Sequence, residues 1–417
     1  MVRKEGRLHI GLVDADLLDN GTRHPNLVIM KLAGYFRDNK IPYELIIDND
    51  ADVSKYDHIY ISRVFAFTKK PAFLSKLDTN TGPIIHKGGT GWYALEEDEE
   101  KFKIERESDM TQLERDPFLP GLNLAHQMPD YDIYSEYINK KVGEGKNKDK
   151  YKDYLHYSIG FLTRGCIRHC PFCVNKNESH VYQYSNLSDF YDQKRKYIYL
   201  WDDNFLAAPK DLFNTYLDQL IATKRPFQFR QGLDIRLMTE EKAEKLSKCH
   251  YHGDWIFAFD IWQQYKNIEK HLKIWKHYCP QKTTKLYLFC GFELTEDSDE
   301  KLFDDVYHLF FRIKILMQYG CLGYVMRHAD YQNHPLGNIY VQIARWCNQP
   351  QFYKKMSFEE FILRNQTYQE EKTGNENACK SLRTYEEFSN KYRQRFKEIE
   401  PFFKMKYERL INSALWI

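Results

Sequence analysis

Over the first ninety residues the apolar positions come in short runs separated by polar turns. Arg7–Leu12 reads as a first strand, followed by a polar loop from Asp14 to His24. Pro25 then stands where a helix would begin, and Asn26–Asn39 carries Leu27, Met30, Ala33 and Gly34 at helical spacing. Ile41–Ile47, His58–Ser62 and Pro83–His86 supply three further strand runs. Alternation of strand, helix and strand predicts a parallel α/β layer.

The same alternation resumes near Tyr157. Predicted strands are Tyr157–Leu162, Tyr197–Leu200, Gln228–Arg230, Trp255–Phe259, Lys285–Phe289 and Gly323–Met326. Predicted helices between them include Lys210–Thr223, Glu240–Lys248, Ile268–His277 and Lys301–Tyr319. Six strand–helix units suit a partial (β/α)6 barrel. Residues 137–154, rich in Lys, Asn, Asp and Gly, read as a solvated linker or surface loop. From Ser357 the chain becomes polar and helical, and Tyr385–Leu410 packs charge between aromatics. The expected order is a Rossmann-like domain over 1–125, a linker over 126–155, a barrel core over 156–345 and a helical C-terminal extension over 346–417.

Composition narrows the function. The formal net charge is +2 over 417 residues, so a chain-wide nucleic-acid footprint is not indicated. No apolar run approaches the roughly 20 residues of a membrane helix, and the start of the chain has no signal-peptide pattern. The expectation is a cytoplasmic protein with no membrane partner. The 9 cysteines are unevenly placed. Residues 1–165 have none, while Cys166, Cys170 and Cys173 fall within one loop. Cys249, Cys279, Cys290, Cys321, Cys347 and Cys379 are scattered. This distribution argues against a disulfide framework.

The spacing C-x3-C-x2-C lets one loop wrap three soft thiolates around a single metal centre. A [4Fe-4S] cluster held by three cysteines keeps one iron open to a further ligand. The rival reading is structural zinc completed by His169 or His180, but no second cysteine pair exists to match it. Gly88-Gly89-Thr90-Gly91 follows the fourth strand; it is either a tight turn or a place where phosphate meets backbone, and it is not G-x-G-x-x-G.

Ser158-Ile159-Gly160-Phe161-Leu162-Thr163-Arg164-Gly165-Cys166, continued by Cys170-Pro171-Phe172-Cys173, resembles the opening strand and cluster loop of radical S-adenosylmethionine (radical SAM) enzymes. The α/β segment ahead of it resembles the branch with a cobalamin-binding-like domain. The resemblance implies a [4Fe-4S] cluster on Cys166, Cys170 and Cys173, and Phe172 against the adenine of SAM. It implies reductive cleavage of SAM to a 5′-deoxyadenosyl radical, which acts on a substrate the sequence does not name. An electron donor such as flavodoxin or ferredoxin follows from that chemistry.

Asp202-Asp203-Asn204-Phe205 is similar to the segment at which this branch binds the SAM amino group; capping of the following turn by Asp203 or Asn204 is the alternative. Gly232-Leu233-Asp234-Ile235-Arg236 is similar to a G-L-D-x-R run of related proteins. Arg236 would clamp the SAM carboxylate, and Asp234 would meet a ribose hydroxyl or orient Arg236; an internal salt bridge is the alternative. Asp260, Glu293, Arg327 and His328 end later strands and are pocket-lining candidates.

Residues 1–165 lack the cysteines of a methylthiotransferase second cluster. The cobalamin motif D-x-H-x-x-G is also missing, with Asp16 where its His would stand. That argues against cobalamin and against a cobalamin-dependent methyltransferase. A non-catalytic metal-binding or nucleic-acid-binding module is the reading from another class.

Overall fold

The computed structural model of the chain describes residues 8–77, 82–93, 100, 101, 103, 113–292, 299–328, 331–364 and 380–408. It is a mixed α/β protein with parallel sheets. The chain forms two compact units: residues 1–202 with 214–227, and residues 203–213 with 228–417.

In the first unit, β1 (Ile10–Asp14), β2 (Tyr43–Leu45), β3 (His58–Ser62) and β4 (Ile84–Gly88) form a parallel sheet in the order β2-β1-β3-β4. Side chains alternate across its pleat. Leu12 and Tyr60 join Ile29, Leu32 and Phe36 of helix Leu27–Asp38 in one apolar core. Val13, Ile59 and Ile61 join Val53, Tyr56 and Phe73 in another. Both faces are therefore covered, as a parallel sheet requires. Asn26 starts the helix by accepting from the backbone N–H of Val28 and Ile29, so the helix begins one residue later than Pro25 suggested.

The expected linker is structured. Ser135–Gly143 and Lys152–His156 are helices, and Lys148–Tyr151 is a 3₁₀ turn. Tyr134, Tyr137, Ile138, Tyr151 and Tyr154 are buried in the first core. Polar composition hid this because tyrosine buries its ring while its hydroxyl keeps a hydrogen bond. The Tyr134 hydroxyl donates to Asp14 at 2.9 Å, and that of Tyr154 donates to the His24 carbonyl at 3.1 Å.

β5 (Tyr157–Gly160) pairs in parallel with β8 (Tyr197–Leu200). At Gly160 a Cβ would meet the Phe190 ring at 2.3 Å, so that position admits no side chain. Between these strands, β6 (Thr163–Arg164) and β7 (Tyr182–Gln183) make a short antiparallel ladder that frames the three-cysteine loop. β9 (Phe227–Phe229) begins in the first unit and ends in the second.

In the second unit, β10 (Trp255–Ala258), β11 (Thr284–Cys290) and β12 (Leu322–Arg327) form a parallel sheet in that order. A single bridge joins Leu233 to Phe257. Leu286, Leu288, Cys290 and Val325 are buried. On the alternate positions of β11 and β12, Tyr287, Phe289, Tyr324 and Met326 are half-buried or exposed. The C-terminal helices Phe358–Leu363 and Phe396–Phe403 belong to the same core: Phe403 lies 4.7 Å from Phe310 and 5.1 Å from Phe358, ring to ring.

Arg312, on helix Asp299–Gln318, is wholly buried and binds the strand ends through their carbonyls. Its guanidinium donates to Phe259 O at 2.9 Å, Asp260 O at 2.8 Å and Phe289 O at 2.9 Å. Arg312→Met is expected to destabilise the protein by about 3 kcal/mol, since three buried carbonyls lose their donor. Urea unfolding measures this; a loss below about 1 kcal/mol would show that the clamp is replaceable.

Candidate functional site: the three-cysteine loop and its supports

The loop begins at a tight backbone crossing. Gly165 has φ +92°, and a Cβ there would meet the His180 carbonyl oxygen at 2.2 Å, so glycine is required immediately before Cys166. Cys166, Cys170, Phe172 and Cys173 are all half-buried. None of the eight described cysteines is in a disulfide; Cys379 lies outside the described residues. Arg168 N donates to Cys166 Sγ at 3.3 Å, and Asn175 N donates to Cys173 Sγ at 3.4 Å. Cys173 N bonds Cys170 O at 2.9 Å, closing a turn between the second and third thiols. His169 places Nδ1 2.8 Å from Lys176 O.

Among the described residues, no group of three or more His, Cys, Asp or Glu side chains is gathered closely enough to hold a metal ion. The donor chemistry of the loop nevertheless fits an iron–sulfur cluster. It offers three soft thiols on eight consecutive residues, reachable from solvent, and two of the sulfurs already receive amide N–H groups, as cluster sulfurs do. Drawing the sulfurs together would accompany metal loading, which commonly orders such loops.

Asp202 supports this loop. Its carboxylate is 1% exposed. It accepts from Leu162 N at 3.2 Å, Thr163 N at 2.6 Å and Thr163 Oγ1 at 2.7 Å. The first acid of the Asp-Asp-Asn run thus fixes the backbone three and four residues ahead of Cys166.

The other predicted residues lie in the second unit. Asp203 is half-buried and Asn204 buried; Asn204 precedes the turn Phe205–Ala207, and its side chain does not cap it. Asp234 and Arg236 form an internal pair. Asp234 Oδ1 accepts from Arg236 Nε at 2.6 Å, and Oδ2 accepts from Nη2 at 3.1 Å. Both are largely buried, so each is held in place by the other. Asp260 accepts from Phe289 N at 3.1 Å. Burial pushes its carboxyl up to about 6, with the Arg312 charge opposing the rise. The guanidinium of Arg327 sits 4.0 Å over the Tyr331 ring, and the His328 ring lies 5.3 Å from that of Phe292. Glu293 lies outside the described residues.

In the first unit the glycine run serves close packing. A Cβ at Gly89 would meet Arg63 O at 2.4 Å, and Gly91 N bonds the same oxygen at 2.9 Å. Asp16 is also engaged internally, accepting from Val64 N at 2.7 Å, Phe65 N at 3.2 Å and Thr68 Oγ1 at 2.5 Å. Sequence reasoning missed Arg312 and the loop-holding role of Asp202, because both depend on carbonyls and amides distant in the chain.

No protein-family model matches the chain, and no curated protein is significantly similar to it.

Two predictions follow from these buried acids. Asp202→Asn replaces one acceptor by a donor facing amide N–H groups, and should cost about 1.5–3 kcal/mol. Limited trypsin digestion should then cut faster after Arg164 and Arg168; an unchanged rate would separate Asp202 from the loop. Burial raises the Asp14 carboxyl from its ordinary 3.8 to about 7, against hydrogen bonds from Leu17 N and Tyr134. A raised acid holds its proton longer in the folded state, so its contribution to stability declines as pH climbs from about 4 to 7. The stability of the protein relative to Asp14→Asn should therefore fall over that window, read from urea midpoints at pH 5 and pH 7.5. A pH-independent difference would contradict the assignment.

Proposed function

We propose that the chain is a radical SAM enzyme whose Cys166, Cys170 and Cys173 hold a [4Fe-4S] cluster. The observation that carries this reading is the half-buried loop of three thiols outside any disulfide, two of them receiving backbone N–H groups, on a backbone pinned by Asp202. When bound and reduced, the cluster would supply one electron to the sulfonium of SAM. Phe172 would offer its ring to the adenine. Asp203 and Asn204 would receive the amino group, and Arg236, oriented by Asp234, would take the carboxylate.

The finer fold reading belongs with this proposal. The order β2-β1-β3-β4 supports a Rossmann-like N-terminal layer. Six further parallel strands, β5 and β8–β12, alternating with helices support a partial (β/α)6 barrel. The partly open face of Tyr287, Phe289, Tyr324 and Met326 also supports it, because parallel sheets seldom leave a face open unless something else covers it. On this reading the N-terminal layer is a cobalamin-domain scaffold without cobalamin. Asp16 stands in place of the ligating His, and a carboxylate already bound to three protein donors is a poor substitute for it. The enzyme would work in the cytoplasm with a flavodoxin or ferredoxin as electron donor. Among the described residues no helix is long and apolar enough to cross a membrane.

The test is anaerobic reconstitution with iron and sulfide. Protein with the natural loop should bind about four irons, with broad absorbance near about 400 nm, and should release 5′-deoxyadenosine from SAM under reductant. The triple Cys166→Ala, Cys170→Ala, Cys173→Ala variant should do neither. Full iron content in that variant would end the proposal, and stoichiometric zinc in protein as purified would favour a non-catalytic module.

A further inference from the structure

The first unit carries a cleft that the proposed cluster chemistry does not use. Its volume is 390 Å³, within the size range of small-molecule sites. Ile61, Ser62 and Gly88 line it at the carboxyl ends of β3 and β4, the end at which open parallel sheets take their ligands. Val28, Ile29 and Leu32, on one face of helix Leu27–Asp38, make part of its lining apolar.

Two rings in the lining are fixed in advance. Tyr60 and His86 stack at 4.2 Å with 12° between their planes. One carboxylate oxygen holds both: Asp116 Oδ2 is 3.2 Å from the Tyr60 hydroxyl and 2.9 Å from His86 Nδ1. His86 Nε2 is 3.0 Å from His58 Nδ1, so the imidazole is tied at both nitrogens. A ring pair held this way offers a stacking surface with little rotamer entropy left to lose.

The β6–β7 segment contributes Arg164, Tyr182 and Tyr184. The Arg164 guanidinium lies over the Phe161 ring at 4.2 Å and the Tyr184 ring at 5.9 Å, a placement that holds the cation while leaving its edge for hydrogen bonding. Lys87 is a second lining cation. Glu114 is the carboxylate of the lining, and it already accepts from Leu124 N at 2.9 Å. The cleft therefore joins an apolar surface and aromatic faces to a surplus of positive charge.

We propose that this cleft binds a planar aromatic or heteroaromatic ligand carrying one anionic group, its ring against the aromatic and apolar lining and its anion at Arg164 and Lys87. A nucleoside monophosphate and an aryl carboxylate share this chemistry. Arg164 lies two residues before Cys166, so an occupant is held at the root of the thiol loop. Binding itself does not depend on the cluster.

The experiment is calorimetric titration of the full-length protein, without reconstituted cluster, with adenosine 5′-monophosphate and with indole-3-carboxylate; adenosine and indole are the neutral controls. At least one anion should bind saturably at one site per chain, and its neutral counterpart should bind about tenfold or more weakly. Arg164→Gln should weaken the anion about tenfold, and Val28→Trp, which fills the cleft from a half-buried position, should abolish binding. Tyr184→Ala tests the same surface by truncation should Val28→Trp fail to fold, as judged by circular dichroism. Binding of the nucleotide alone or of the aryl acid alone identifies the source of the ligand. Absence of binding by both anions, equal binding of the neutral controls, or natural affinity in Arg164→Gln together with Tyr184→Ala overturns the proposal. Iron content after reconstitution is read separately, so a cleft that stays empty in a protein that loads its cluster defeats this inference alone.

Discussion

Where a parallel strand ends, its last N–H and C=O groups leave the ladder while still buried, and something must pair with them. In this protein buried ionisable side chains do so. Asp16 takes the amides after β3, Asp202 those after β5, and Asp260 that of Phe289 in β11. Arg312 takes the carbonyls that close β10 and Phe289 O in β11. Arg63 does the same for the loop after β3, donating to Thr68 O at 2.8 Å and Gly91 O at 2.7 Å. Charges that would be costly to bury alone are tolerated because each meets several fixed dipoles.

That constraint changes the meaning of the charged motifs. An acid at a strand end can be a ligand contact or a backbone partner, and adjacent residues can divide the two tasks. In the Asp202-Asp203-Asn204 run, Asp202 is engaged with the backbone ahead of Cys166. In the Asp234–Arg236 pair, the carboxylate both starts a turn and holds the guanidinium in a fork. Such a pair orients a cation with little residual freedom, which suits recognition of a carboxylate. The three thiols are held differently. Their supports are amide N–H groups and a glycine turn, so the loop keeps room to close around a metal.

The aromatic content has two uses in the fold. Tyr134, Tyr137, Tyr151 and Tyr154 bury their rings against the N-terminal sheet, and Tyr134 and Tyr154 link loops through their hydroxyls. Tyr60 with His86, and Tyr287 with Tyr324, sit instead where solvent or a ligand can reach their surroundings. The same residue type thus stabilises one region and equips another. What separates the cases is the element packed above the ring.

By itself the sequence determined the strand and helix pattern, because period-two and period-3.6 apolar spacing is a local property. Tyr197–Leu200 and His58–Ser62 appear in the structure with the bounds read from the chain, and Trp255–Phe259 differs by one residue. It also determined the C-x3-C-x2-C loop, whose meaning lies in contiguous residues. It misread 137–154, where lysines and asparagines outnumber the buried tyrosines that decide the packing. Only the tertiary structure decided the partners of Asp16, Asp202 and Arg312 and the lining of the cleft beside β3 and β4. Those depend on atoms brought together from positions tens of residues apart, and a buried charge has no signature in sequence until the dipoles that satisfy it are in place.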